Sequence, residues 1–358
     1  MTNPDPVQQF ERNFSSYVGT RHAVAVSSGT TGLIAVMMAL QMNPGDNVVT
    51  TPLTFIATAN SVLSAGGVPV FADIDRETLC VNPEGAKKNI DSKTKGVIGV
   101  HLYGLPFDVE AFDEARQNGI KVVEDAAQAL GASNHGRKVG SLGDAAVFSF
   151  YETKHIGLGE GGMIATNDGE LAELCRMVRS HGQSRKYYHI MLGYNFRLPA
   201  SIASAGLKQL SGIEREVRRR RRIAKVYAEE LGTLRGVSLQ RVDGDVTHSY
   251  YMFPLLVEGV PLRKLDGLAH RVSLLTSCEV RRGYGLLAYQ QPFYRNLNGL
   301  YWGAKLMRFP DYSTYHLPSA EYAVKRIIEL PTDDTVDEGK AGMIAESLVK
   351  EVRRLGTK

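Results

Sequence analysis

At 358 residues the chain can bury a sizeable core, divided between two domains. With 43% apolar and 22% charged residues it has an ordinary globular composition, and a net charge of +4 among interspersed acids excludes a nucleic-acid footprint. Cys80, Cys175 and Cys278 show neither metal-type spacing nor a disulfide framework, Met1–Pro6 lacks a signal-peptide pattern, and no run nears the ~18 apolar residues of a membrane helix, so a cytoplasmic protein is expected.

The first two-thirds of the chain alternates short apolar strands with helical patterns, as a largely parallel sheet covered on both faces requires. Ala23–Val26 reads as the first strand, and Ser27-Ser28-Gly29-Thr30-Thr31-Gly32 opens an apolar helix reaching about Met42. Beyond the Gly45-Asp46 turn, Asn47–Thr50 is a strand, Thr54 starts a helix, and Val68–Phe71 and Val97–His101 are strands. Val122–Glu124 and Ala146–Phe150 read as central strands by their β-branched and aromatic content, and Met163–Thr166 as another. From Pro199 a long helical pattern runs to Leu231, with Arg218–Arg222 on what reads as a solvated face. Tyr250–Val257 and Ile327–Leu330 follow as strands, with Leu262–Val272 and Asp334–Leu355 as helices. The break at Gly232-Thr233-Leu234-Arg235-Gly236 sets the expected division: a large domain over residues 1–232 and a small one over 233–358.

Chemistry concentrates in the large domain. Val122-Val123-Glu124 runs into Asp125-Ala126-Ala127-Gln128, and a second strand ends in Ser149-Phe150-Tyr151-Glu152-Thr153-Lys154-His155. An apolar strand ending in an acid, followed by a strand ending in Ser-x-x-x-x-Lys, is the pattern pyridoxal phosphate chemistry needs. The Asp125 carboxylate would keep the pyridine nitrogen protonated, Lys154 would hold the cofactor as a Schiff base and move protons, and Ser149 would hold the phosphate. Gly29-Thr30-Thr31 opens a helix, where free amides and the dipole favour phosphate. Gln128 would face the ring hydroxyl, and Phe55 could stack on the ring. Taken singly, each residue has a plainer reading: a loop lysine, a capping aspartate, a core aromatic. Gly157-Leu158-Gly159-Glu160-Gly161-Gly162 precedes a strand rather than a helix, so it is no dinucleotide fingerprint.

These segments, in this order, resemble the DegT-type nucleotide-sugar aminotransferases. The markers include Ser28-Gly29-Thr30, Thr54-Phe55-Ile56-Ala57-Thr58-Ala59-Asn60, Glu124-Asp125-Ala126-Ala127-Gln128, Thr153-Lys154, Gly193-Tyr194-Asn195-Phe196-Arg197 and His248-Ser249-Tyr250-Tyr251. The resemblance implies an α/β protein of PLP-dependent fold type I, like aspartate aminotransferase. A mostly parallel seven-stranded sheet would form the large domain and α+β structure the smaller C-terminal one. It implies that Lys154 and Asp125 are catalytic, that Gln128 meets the ring oxygen, and that Ser149, Gly29 and Thr30 hold the phosphate. Phe55 matches the stacking aromatic. Asn195 matches an asparagine that reaches the neighbouring subunit's cofactor phosphate, which implies a homodimer with shared active sites.

Three departures bear on the substrate. His155 stands where the family usually has asparagine. The loop Arg282-Gly283-Tyr284-Gly285-Leu286-Leu287-Ala288-Tyr289-Gln290-Gln291-Pro292 has Tyr289 in place of a histidine. The chain also starts close to its first helix. His155, Arg282, Tyr284 and Tyr289 are therefore the candidate substrate contacts. The expected reaction is transfer of an amino group, from glutamate, to a nucleotide-linked keto sugar by ping-pong half-reactions. Alternatives are another acceptor (a keto-cyclitol or an aminohydroxybenzoate precursor), a sugar dehydratase, or an inactive PLP-binding regulator with Arg218–Arg222 on a polyanion. No metal is expected.

Overall fold

The β-branched runs of the first two-thirds become strands buried on both faces. In the computed structural model, which describes residues 5–356, they are β1 (His22–Val26), β2 (Asn47–Thr50), β3 (Val68–Phe71), β4 (Thr94–Val100), β5 (Lys121–Asp125), β6 (Ala145–Ser149) and β7 (Gly162–Thr166). Met1–Pro4, part of the segment read for a signal peptide, lie outside the described residues. The order across the seven-stranded sheet is β1-β7-β6-β5-β4-β2-β3. β6, β5, β4, β2 and β3 run parallel, while β7 is antiparallel to both of its neighbours. The expected mostly parallel sheet is therefore present, with one reversed strand.

Alternation along each strand divides its side chains between two cores. Val24, Val26, Val48, Ile98, Val123 and Val147 pack under α2 (Gly29–Ala39), α3 (Ala57–Ser64) and α4 (Gly169–Arg179). Ala23, Ala25, Val49, Val97, Val122 and Phe148 face the other way, toward Phe10, Phe14 and Val18 of α1 (Pro6–Val18).

The single helix expected from Pro199 to Leu231 is two: α5 (Ala200–Leu210) and α6 (Ile213–Leu231), broken at Ser211-Gly212. The break lets α5 pack on α1, where Gly206 lies so close to the Phe10 ring that an added Cβ would come within 2.6 Å of it. α6 then crosses to a second core with α7 (Leu265–Thr276) and α8 (Glu338–Leu355). These helices cover a four-stranded antiparallel sheet of β8 (Val237–Leu239), β9 (Phe253–Val257), β10 (Arg281–Arg282) and β11 (Ile327–Leu330), in the order β8-β9-β11-β10.

The Arg218–Arg222 face is only partly solvated. Arg218, Arg221 and Arg222 are exposed, but Arg219 and Arg220 turn inward. Arg219 donates to the carbonyls of Thr332, Asp333 and Val336, and Arg220 to that of Tyr251. A guanidinium fork can satisfy several buried carbonyls at once, which a helical charge pattern alone does not reveal.

The carboxyl ends of β1, β5 and β6 point to one edge of the large sheet, where open α/β sheets bind ligands. Gly162 sits between Val26 and Ser149 in register, and a Cβ on it would lie 2.6 Å from the Ser28 carbonyl and 2.8 Å from the Gly29 amide. Gly162→Ala should therefore push the start of α2 away from the sheet and lower stability by about 1–3 kcal/mol. Gly342→Ala makes the same change on α8, where nothing lies within 4 Å. It should raise stability by up to about 1 kcal/mol. Urea unfolding of both variants beside the parent checks the pair.

Candidate active site

Asp125 ends β5 almost fully buried. Thr58 Oγ1 donates to its Oδ2 at 2.7 Å and the Ala127 amide to its Oδ1 at 3.2 Å. Thr54 lies one turn before Thr58, and their hydroxyls are 2.9 Å apart, so Thr54 passes its hydrogen to Thr58. Among the described residues no cation lies within ion-pair distance of Asp125. Burial raises its pKa, and the two hydrogen bonds with the nearby Lys154 only partly oppose this. A buried carboxylate left without a cation suits a ligand that brings a positive charge, as a protonated ring nitrogen does.

Behind it, Glu124 is fully enclosed and accepts from four donors. His101 Nε2 donates at 2.9 Å, and the amides of Gly140, Leu142 and Gly143 at 2.9, 3.0 and 2.8 Å. The Phe107 amide donates to His101 Nδ1 at 3.0 Å, which fixes the tautomer. The loop after β5 is held rigid by this carboxylate.

Lys154 lies in a turn closed by its own amide donating to the Tyr151 carbonyl at 2.9 Å. Its Nζ is 4.0 Å from the centroid of the Tyr251 ring. Burial lowers its proton affinity and Arg281 adds to that, while Tyr251 and Asp125 favour the charged form. The net direction is down, toward the free amine that nucleophilic and proton-transfer chemistry requires.

At the adjoining strand end, Ser149 faces the start of α2 so closely that a Cβ on Gly29 would lie 2.9 Å from the Ser149 Cβ. Ser28 caps the helix, its Oγ accepting from the Thr31 amide at 3.1 Å. The amides of Gly29 and Thr30 precede the first intrahelical bonds and stay available at the positive end of an 11-residue helix. This seat fits an anion such as a phosphate, and the glycines keep it shallow enough for the backbone to reach one.

Gln128 is placed by two bonds. Its Oε1 accepts from the Tyr103 amide at 2.7 Å, and its Nε2 donates to the Tyr284 hydroxyl at 2.7 Å. Lys154, Asp125, Gln128 and Tyr284 thus come together, with Ser149, Gly29 and Thr30 at the neighbouring strand ends. Phe55 stands at the mouth of α3 with 62% of its surface exposed. Asn195 is exposed on a segment whose neighbours Tyr194 and Phe196 bond to the end of α4, through the carbonyls of Val178 and Arg179.

Three candidate substrate contacts point elsewhere. His155 is buried, and its Nε2 donates to the Ser249 carbonyl at 3.0 Å. Tyr289 donates from its hydroxyl to Glu321 at 2.7 Å inside an aromatic cluster with Phe71 and Tyr315. Arg282 is spent on Asp266 and on the carbonyls of Ile327 and Lys325. Alternation on β10 turns Arg281 to the opposite side from Arg282. Arg281 Nε donates to Glu329 at 2.9 Å, and Glu329 also accepts from the Tyr103 hydroxyl at 2.8 Å. Sequence reasoning passed over Thr58, Tyr251, Arg281 and Glu329. Only Thr58 carried a signal, as a hydroxyl one turn into a helix that starts at the strand ends.

The profile of the DegT/DnrJ/EryC1/StrS aminotransferase family matches residues 1–349. The chain belongs to this family. A relative named "Pleiotropic regulatory protein" from Geobacillus stearothermophilus is 36% identical, covering 98% of this chain and 90% of its own. A UDP-N-acetyl-3-dehydro-alpha-D-glucosamine 3-aminotransferase from Acidithiobacillus ferrooxidans is 34% identical, covering 94% and 85%. The solved structure of ntda from Bacillus subtilis with bound cofactor PMP superposes with a TM-score of 0.86 at 27% identity, covering 98% of this chain and 78% of that one. The DegT-type aminotransferase described here thus has fold type I and works with pyridoxal phosphate. Among its described residues no helix is long and apolar enough to cross a membrane, and no group of three or more His, Cys, Asp or Glu is placed to hold a metal ion.

His155 gives this family member a testable pH signature. Burial, with Arg220 nearby, lowers its pKa to about 3. The folded protein thus keeps it neutral while the unfolded chain protonates it near pH 6.5. Its stabilisation is complete above pH 6.5 and is lost as pH falls from there toward 3. Buried His248 shifts the same way. Urea midpoints from pH 7 to 4 should fall less steeply in His155→Asn than in the parent, with part of the slope left to His248.

Proposed function

We propose that this aminotransferase moves an amino group from an amino-acid donor, glutamate, to the keto carbon of a nucleotide-linked sugar, in two half-reactions at one site. The observation that carries the chemistry is the pairing, across one sheet edge, of a lysine driven toward its neutral form with a buried carboxylate that has no cation of its own. The relative named for a UDP-linked 3-dehydro sugar supports the acceptor class.

Pyridoxal phosphate, when bound, supplies the electron sink that lets the donor's α-proton leave and carries the amino group between the half-reactions. Lys154 would hold the cofactor and then, as a free amine, take and return that proton. Asp125 would keep the ring nitrogen protonated, itself aimed by Thr58 and Ala127. Ser149 and the amides of Gly29 and Thr30 would hold the phosphate, Gln128 would meet the ring oxygen, and Phe55 would cover the ring face. Arg281 and Tyr284, from the small sheet and its loop, would face the substrate in place of Arg282, Tyr289 and His155.

The reading includes a homodimer with shared sites. The hairpin ahead of Asn195 carries exposed apolar side chains, Tyr187 at 81% and Leu192 at 67% with Tyr188 and Ile190 between them, a patch that suits a second copy. It also includes a cytoplasmic setting, supported by three buried free thiols. The relative named as a regulatory protein favours a second reading, a cofactor-binding regulator without turnover.

The cofactor-loaded protein should absorb visible light and bleach when glutamate is added. A preparation that keeps its colour with every amino donor would support the regulator. Borohydride should trap the cofactor on Lys154, and Lys154→Ala should fold but trap nothing. Trapping on another lysine in that variant would remove Lys154 from the mechanism.

Sharing between subunits has its own test. Lys154→Ala and Asn195→Ala chains, each inactive alone, should regain activity after verified subunit exchange, because hybrid dimers hold one site with neither lesion. No recovery would exclude Asn195 from the partner's site.

A further inference from the structure

Ser249–Tyr251 leads from the small sheet to the face of Lys154 and is tied from both sides. On the large-domain side, the Ser249 amide donates to the Gly104 carbonyl at 3.0 Å and the Tyr251 amide to the Tyr103 carbonyl at 2.8 Å. On the other side, Arg220 Nη1 donates to the Tyr251 carbonyl at 2.9 Å and to the Thr332 hydroxyl at 3.2 Å. Thr332 passes its own hydrogen to the Tyr250 carbonyl at 2.6 Å. Between these ties Tyr250 adopts φ +50°, a left-handed backbone that persists only where surrounding bonds impose it. The Tyr251 hydroxyl lies 2.9 Å from Thr153 Oγ1, and its ring lies beneath Lys154 Nζ.

We propose that the Tyr251 ring is the resting seat of the Lys154 amino group whenever that group is not bonded to the cofactor, and that Arg220 is the positioning residue that fixes the ring. The proposal rests on Lys154 being the cofactor lysine. A lysine released from its bond has four methylenes of freedom and must still return to one atom. An aromatic face holds the ammonium by its quadrupole and narrows that freedom without consuming the amine. Four other groups bear on Lys154. Asp125 supports the cation from β5, Arg281 opposes it from β10, His155 beside it stays neutral, and Glu329 on β11 is engaged by Arg281 and Tyr103. Arg220 is nearly fully buried and anchored by Glu216 at 2.7 Å. Burial alone would raise the Glu216 pKa, but Arg219 and Arg220 hold it down to about 2, so the anchor stays charged.

The test uses protein stripped of cofactor. Pulse acylation at graded pH, read by peptide mass mapping, gives the titration midpoint of Lys154 itself. Tyr251→Leu should lower that midpoint by roughly one pH unit, so that acylation at pH 7 is about tenfold faster. Tyr251→Phe keeps the ring face but loses the hydroxyl, which also favours the charged amine, and should lower the midpoint by less than Tyr251→Leu does. Arg220→Lys keeps the charge but loses the fork, and should shift the midpoint in the same direction by less. Combined with Tyr251→Leu it should add nothing, because it acts through Tyr251. An unchanged midpoint in Tyr251→Leu overturns the proposal, as does an additive effect of Arg220→Lys. Should Tyr251→Leu fail to fold, Tyr251→Met gives the same readout. Borohydride trapping in the loaded parent serves as the control: a cofactor trapped elsewhere than Lys154 refutes the lysine assignment, whereas correct trapping with an unmoved midpoint refutes the seat alone.

Discussion

A carboxylate buried at a strand end without a cation is the constraint around which the catalytic edge is arranged. Burial pushes Asp125 toward its neutral form, and among the described residues no cation pairs with it. The Thr58 hydroxyl and the Ala127 amide hold its two oxygens in place. Thr58 is held in turn by Thr54, and the strand behind Asp125 is stiffened by the four donors on Glu124. Each layer limits movement in the one in front of it, so a charged ring nitrogen would meet an acceptor that is already aimed and already desolvated. Preorganisation of this kind removes the reorganisation that water would demand.

The second layer comes from the small sheet. Arg220 and Thr332 secure the backbone that presents Tyr251, and Glu329 secures Arg281 against Tyr103. None of these bonds lies within the large sheet, yet each ends beside Lys154 or Gln128. The lysine's environment is therefore a property of how the two sheets meet.

The strands of the large sheet were legible because β-branched runs buried on both faces leave an unmistakable pattern; Asn47–Thr50 and Val68–Phe71 fall where the sequence puts them. Asp125, Gln128 and Lys154 were singled out because the expected chemistry needs such groups at strand ends, and the fold brings the three together. Arg282 misled because β10 is two residues long, too short to show which of two adjacent arginines faces inward. His155 and Tyr289 misled for a different reason. Both occupy positions where the resemblance expects another residue, and both are used to brace neighbouring backbone or carboxylate groups. The α5–α6 break was hidden because Ser211 and Gly212 both keep helical or near-helical backbone angles, so only packing on α1 reveals the change of direction.

Helix α6 is rooted in two places. Ile213 and Val217 belong to the core of the large sheet, while Ile223, Ala224, Tyr227 and Leu231 belong to that of the small one. At about 1.5 Å per residue its 19 residues run about 28 Å, long enough to reach both cores without a break. The exposed Gly285-Leu286 tip of the loop after β10 lies outside both cores. The two sheets share this one helix, so a substitution that shifts α6 bears on both cores at once.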